Sequence, residues 1–530
     1  MRSLTTKNDS SKHLEGPVAR GGPWRPIMRA GEWGRVMNGL NNTVGRLLGV
    51  GLIAGACGGA AFAQGANNDE LLSQEEVASM LRASGDAFFT LNDRGTYVSE
   101  YDDDRGKRLG PQGKWQFGPN EFLIEPVATP TIGELFARAY QMTGEQVYLD
   151  RAIETARVLA WIQNNRGGWH RQDTLKNYDP NWEYPRRPLG RMVLDDDVTQ
   201  GSLSFLMKLD QAYSASWLTE SITLGLNGML TAQHSSGGWP QEWPTHPQRP
   251  YSAFMTFNDG TINDCIRVML EAYDQYRDTR YMDAAVRAAD YILSVQLSEP
   301  HPGWAQQYDL QGRPAQARTH EPPAICSSVT GRNIETLIEI AVRTGDERYL
   351  LPIPAAERWL RRVNIGNNIW ARFYELGTNR AIYVGSNGRI YYRLEDIPKK
   401  YQMNYNWQGR LGIPRALETA REVQRLGLRR YSREVNAGLS DHRRNSTMRR
   451  LDRVIRESWD VRCDLGFWRM NNGRIASRYF NNRFDQMLRY LELTGPITPD
   501  PEVADSPDSK PQQSEERILQ RASTIQVIRR

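Results

Sequence analysis

Cysteine is scarce, with 4 in 530 residues, at positions 57, 265, 326 and 463. Loss of an N-terminal leader would take Cys57 and leave an odd number, which cannot form a full disulfide framework, and the spacings match no zinc pattern. Buried thiols are the expectation, with one bridge and one free thiol as the alternative. Long hydrophobic runs are missing too. The stretch Leu47 to Ala56 falls short of a membrane span, so the mature chain is expected to cross no membrane. Strand-like alternation is sparse; its best instance is Ala381–Tyr392, which suggests a small hairpin around Asn387-Gly388. Nor does one sign of charge dominate, with 67 Lys and Arg against 62 Asp and Glu for a net +5. The Arg-rich stretches near Arg429 and Arg443 read as solvated helix faces, and no nucleic-acid partner is expected.

Tryptophan is plentiful by contrast, with 15 beside 13 Phe. Such a set suits sugar-stacking surfaces and core filling alike. The N-terminus reads as an export signal. A polar, basic stretch ends at Arg46, Leu47–Ala56 is apolar, and Ala61-Phe62-Ala63 fits the small-x-small rule for cleavage before Gln64. Its long basic region makes Met28 or Met37 an alternative start, and Cys57 gives a weaker lipoprotein alternative. The expected destination is periplasmic or extracellular. Four parts follow: a leader and extension over 1–63, a helical catalytic domain over 64–410, an added Arg-rich helical segment over 411–495, and a tail over 496–530. Pro496, Pro499, Pro501, Pro507 and Pro511 mark that tail as disordered.

An internal repeat sets the architecture. Segments 137–149, 206–218, 270–282 and 338–350 share a helical stretch, a polar turn and an aromatic-aliphatic pair that opens the next helix. Their aromatic positions Tyr148, Trp217, Tyr281 and Tyr349 lie 69, 64 and 68 residues apart. Three of the following helices lead to a Gln and then Gly-Trp: Gln163 with Gly168-Trp169, Gln233 with Gly238-Trp239, Gln296 with Gly303-Trp304. Each repeat is thus a helical hairpin whose apolar stripe (Leu135, Ala139, Met142 in the first) must bury against a neighbour. The fold class is all-α, an open superhelix or a closed α/α toroid of antiparallel hairpins. Because the helices run up and down, every Gly-Trp loop emerges at one end.

Three segments occupy the position after such a loop: Asp195-Asp196-Asp197, Asn258-Asp259-Gly260, and Arg318 with Glu321. Any one Asp before a helix is ordinarily a cap, and Arg318 with Glu321 reads by itself as an ion pair. Convergence of charged groups from three repeats at one mouth points instead to a site. Asp195 and Asp259 supply hard oxygen ligands without His or Cys, which suits calcium better than zinc. Trp239 is either a stacking platform or a core residue closing its loop.

The stretches Gly237-Gly238-Trp239-Pro240-Gln241, Thr256-Phe257-Asn258-Asp259-Gly260, Ala317-Arg318 with Glu321-Pro322-Pro323-Ala324, and Trp370 to Arg380 resemble, in order, motifs of the family 10 polysaccharide lyases, the pectate lyases. The resemblance spans Asp195 to Trp407 and implies an incomplete α/α toroid that cleaves polygalacturonate by β-elimination with Ca2+. It implies Arg318 as the base and Asp195, Asp196 and Asp259 as the metal site. Arg372 follows as a carboxylate clamp, with Trp239, Arg380, Glu321 and Asn258 as further substrate-binding residues. The chain departs from the family pattern at Thr319-His320 and over 381–405. The partner implied is an acidic polysaccharide, and the protein is expected to be a monomer. A glycoside hydrolase using Asp195 and Asp259 and a non-catalytic polysaccharide-binding protein are the competing readings.

Overall fold

The computed structural model describes residues 70–102 and 107–497. The leader expected over 1–63, and all but the first two residues of the expected tail, lie outside them. Among the described residues the helices are α1 (Gln74–Phe89), α2 (Thr129–Thr143), α3 (Gln146–Ile162), α4 (Val198–Asp210), α5 (Ser216–Ala232), α6 (Thr261–Tyr276), α7 (Thr279–Ser294), α8 (Ser327–Thr344), α9 (Ile353–Arg362), α10 (Ile413–Leu426), α11 (Leu428–Asn436), α12 (Asp441–Asp460) and α13 (Ser477–Thr494). No helix among these residues is long and apolar enough to cross a membrane.

Each repeat folds as the hairpin its sequence implies. In the first and fourth repeats the polar turn ends its helix in a left-handed glycine: Gly144 at φ +69° and Gly345 at φ +72° each donate an amide to the carbonyl four residues back. That conformation, free of penalty for glycine, satisfies a carbonyl the helix leaves open. The aromatic that opens the second helix is buried in every repeat, at Tyr148, Trp217, Tyr281 and Tyr349. Helices α2, α4, α6, α8 and α10 touch in succession and form the inner layer, with α3, α5, α7 and α9 outside.

The α/α toroid expected from the repeats is present, and the segment beyond 410 adds to it. Helix α10 continues the inner layer from α8, while α13 packs on α12, on α1 and on α2 at the ring's other edge. An Arg443–Glu422 pair at 3.4 Å ties α12 to α10. The strand Ile475–Ala476 pairs antiparallel with Glu100–Tyr101, so chain segments from both ends close the ring together. The hairpin expected near 381–392 is also there, with Ala381–Val384 against Ile390–Tyr391. Cys265 and Cys326 are buried and Cys463 half-buried, all as free thiols.

Trp239 belongs to this frame, not to a binding surface. It is fully buried, and its indole donates to the Met229 carbonyl at 2.9 Å. The same bond recurs from Trp169 to Leu159, Trp304 to Ile292, Trp370 to Leu360 and Trp468 to Ser458. Each indole donates to a carbonyl in the last turn of a helix, where carbonyls run short of helical partners. The Trp239→Ala protein is therefore expected to lose about 3–5 kcal/mol of stability, read by denaturant unfolding. A surface platform would weaken substrate binding and leave stability nearly unchanged.

Candidate active site

The mouth is built by one device repeated four times. The residue two positions after each loop tryptophan offers its carbonyl to the chain leading into an inner helix. Arg171 holds Ile124 at 2.8 Å, Gln241 holds Leu194 at 2.9 Å, Gln306 holds Phe257 at 2.8 Å and Arg372 holds Ser327 at 2.9 Å. Of the side chains at these positions, Arg171 and Arg372 are half-buried at the opening, whereas Gln241 and Gln306 lie buried beneath it. The turns they steady then deliver the acidic residues. Asp196 and Asp259 occupy matching places in two short turns, at φ +55° and +46°. Left-handed backbone at a non-glycine residue is uncommon, and it is retained at both carboxylates that project beside the opening.

Asp195, Asp196 and Asp259 meet here, each with a carboxylate oxygen within 4.8 Å of the others. Asp195 is buried and heavily engaged. Its Oδ2 accepts from Arg318 and from Arg171, both at 2.8 Å, and its Oδ1 accepts from Asn258 at 3.1 Å. Asn258 also donates to Asp259 at 2.6 Å, so one amide spans two carboxylates. Arg171 further pairs with Asp196 and with Glu125. Arg318 completes a second bond to Glu321 Oε1 at 2.8 Å. Arg372 lies 4.0 Å from Asp259 and 4.8 Å from the Tyr405 ring centre. The buried amide nitrogens of Gln241 and Gln306 have no partner among the described residues.

Two electrostatic effects follow from this crowding. Burial works to lower the Arg318 pKa, but Glu321 and Asp195 outweigh it and raise the value above the ordinary arginine range. Burial lowers the His320 pKa, with Arg318 and Arg372 acting in the same direction against Glu321, so this imidazole is neutral at neutral pH. His320 sits edge-on to Tyr405 with ring centres 5.0 Å apart.

The expected site residues thus divide. Asp195, Asp196, Asp259, Arg318 and Arg372 come together. Asn258 and Glu321 are buried, at 1% and 0% exposure, and serve the cluster from beneath; neither presents a face to substrate. Arg380 is exposed and lies over Tyr392 at 3.6 Å, joined to no member of the cluster by a contact among the described residues. Arg171 belongs to the cluster and was not singled out in the sequence. Its signal was its place two residues after Trp169, the spacing of Arg372 after Trp370.

Residues 174–365 and 354–414 match the model of a family described as pectic acid lyase. On an α/α toroid with this mouth, the match makes the chain a polysaccharide lyase. Through that central segment it is similar to the pectic acid lyase family. Among solved structures, a mutant family 10 polysaccharide lyase from Cellvibrio cellulosa in complex with trigalacturonic acid is 21% identical, covers 56% of this chain and 98% of its own, and has a TM-score of 0.43. The GH76 α-mannanase of Bacteroides thetaiotaomicron is 11% identical, covers 79% of this chain and 96% of its own, and has a TM-score of 0.42. A comparison with curated protein sequences finds no match.

Proposed function

We propose that the chain cleaves polygalacturonate-type acidic polysaccharide by β-elimination, with calcium as cofactor and Arg318 as the base. The charge balance of the mouth carries this reading. Five carboxylates (Glu125, Asp195, Asp196, Asp259, Glu321) meet three guanidiniums (Arg171, Arg318, Arg372), an excess of two negative charges. One divalent cation restores neutrality. Asp195, Asp196 and Asp259 fit it, because their donors are all oxygen. When bound, calcium supplies a Lewis acid against the substrate carboxylate, where charge builds as the C5 proton leaves.

The remaining work falls to the protein's own side chains. Paired with Asp195 and Glu321, Arg318 is held protonated, and a protonated guanidinium cannot accept the C5 proton. Asp195 has to release Arg318 before it can act. Arg372, at 4.0 Å from its nearest acid, keeps donors free for a uronate carboxylate in the two-pronged arrangement guanidiniums favour. Turnover is therefore expected to climb from neutral into alkaline pH, as the protonated fraction of Arg318 falls. An acidic optimum in a pH–rate profile would remove Arg318 from this role.

The direct test is the ultraviolet absorbance of unsaturated uronides, followed on polygalacturonate with calcium and with a chelator. A calcium-dependent rise supports elimination. Saturated reducing ends without absorbance would move the protein to the hydrolases. Export of the chain, inferred from Leu47–Ala56 and Ala61-Phe62-Ala63, agrees with a polymeric substrate met outside the cell.

A further inference from the structure

Beside the acidic mouth lies a cavity of about 340 Å³, a volume within the usual range for ligand sites. Arg171 and Glu125, paired with each other, belong to both, and the cavity also includes Val193, two residues before Asp195. Its charge is opposite to that of the mouth. Glu242, buried in the wall, accepts from Arg191 at 3.0 Å and from Arg249 at 2.6 Å. One carboxylate thus serves two guanidiniums and leaves a surplus positive charge. Burial lowers the His170 pKa, so that imidazole offers hydrogen bonds and adds no charge at neutral pH.

The rim carries an aromatic surface. Trp115 is 43% exposed, an unusual place for so large a ring. A Cβ at position 110 would come within 2.3 Å of it, so Gly110 lets the backbone lie directly against the indole. Trp115 is fixed from behind by the turn in which the Gly110 amide donates to the Trp115 carbonyl at 3.0 Å. Trp115, His170 and Arg171 all precede the segment that matches the family. Arg191, Val193, Glu242 and Arg249 lie within that segment, so the match covers only part of the cavity's lining.

We infer that this cavity is an anionic-sugar subsite: Arg191 and Arg249 take the carboxylate of a uronate unit whose ring lies against Trp115, in the same polymer whose cleaved bond sits at the Asp195 mouth. The inference rests on the proposed elimination of polyuronate and extends it. A chain that fills both places gains contacts that a short oligomer cannot make. The enzyme then favours long substrates through this second foothold.

Oligogalacturonates of three and six units test it, in two variants, Trp115→Ala and Arg249→Gln. Arg249→Gln leaves Glu242 its Arg191 partner and guards against a folding defect at the rim. Both variants are expected to raise the KM for the hexamer relative to that for the trimer by about tenfold, equal to ~1.4 kcal/mol. Calorimetry of the hexamer in calcium-free buffer reads the same loss without turnover. A wild type that eliminates polygalacturonate, with unchanged hexamer binding in both variants, overturns the subsite and leaves the proposed function standing. An equal loss on trimer and hexamer overturns it as well. A wild type that neither cleaves nor binds polygalacturonate sinks the parent reading, and the subsite with it.

Discussion

Replacing Arg318 with alanine is expected to lower turnover of polygalacturonate by about 10²–10⁴-fold, the usual worth of a positioned proton-transfer group. The KM should move far less, because Arg372 and the rest of the mouth still hold the polymer. Alanine also strands Glu321, which is 0% exposed and loses its guanidinium partner, so part of any loss could arise from instability. Arg318→Lys separates the two effects. Lysine can keep a cation near Glu321 and Asp195, and its ordinary pKa of about 10.4 lies well below that of arginine. If residue 318 takes the proton, the lysine protein should retain some activity and reach its plateau at a lower pH than the wild type. If residue 318 only props up the cluster, lysine should rescue activity with no displacement of the pH–rate profile. Melting curves for both proteins complete the comparison.

The hairpins were legible because each is closed by local chemistry. A left-handed glycine at Gly144 or Gly345 and an indole on the preceding helix end leave a mark within a few residues. The two later loops lack glycine before Trp370 and Trp468, so the same indole bond passed unnoticed there. Trp239 carried an ambiguity that sequence alone left open, since a loop tryptophan can face either way; the bond to Met229 fixes it inward. Arg171 escaped notice because its importance lies in whom it meets. Its partners Glu125, Asp195 and Asp196 come from two other loops, and only the ring brings them together. Arg372 was read by resemblance, whereas the repeat itself would have pointed to both arginines. The part played by 411–495 was hidden for a further reason. Its Arg-rich faces dominate the composition, while Phe480, Phe484, Met487 and Leu491 form a buried helical stripe whose partners lie at the other end of the chain.

That stripe makes a chain ending at residue 410 expected to aggregate instead of folding. Phe480 stacks on Phe88 with ring centres 4.0 Å apart, and Phe484 meets Phe136 edge-on at 5.9 Å. Removing α13 would expose α1 and α2 together. Burial of Phe480, Phe484, Leu488 and Leu491, at 2% exposure or less, contributes roughly 6–12 kcal/mol in all. A domain's whole stability is of the order of 5–15 kcal/mol, so no ordinary margin absorbs that loss. Charge deepens it. Arg138 on α2, only 11% exposed, pairs with Asp485 at 2.7 Å and Glu492 at 3.0 Å, and truncation strips both acids from a largely buried cation. Tyr490 donates to the Leu72 carbonyl at 2.6 Å, so the chain before α1 loses its anchor too. A single change, Phe484→Ala, should already cost about 3–5 kcal/mol in denaturant unfolding. A soluble, cooperatively melting 1–410 chain with lyase activity would instead make the last helices a dispensable addition. In that case the four central hairpins would hold the mouth in place by themselves.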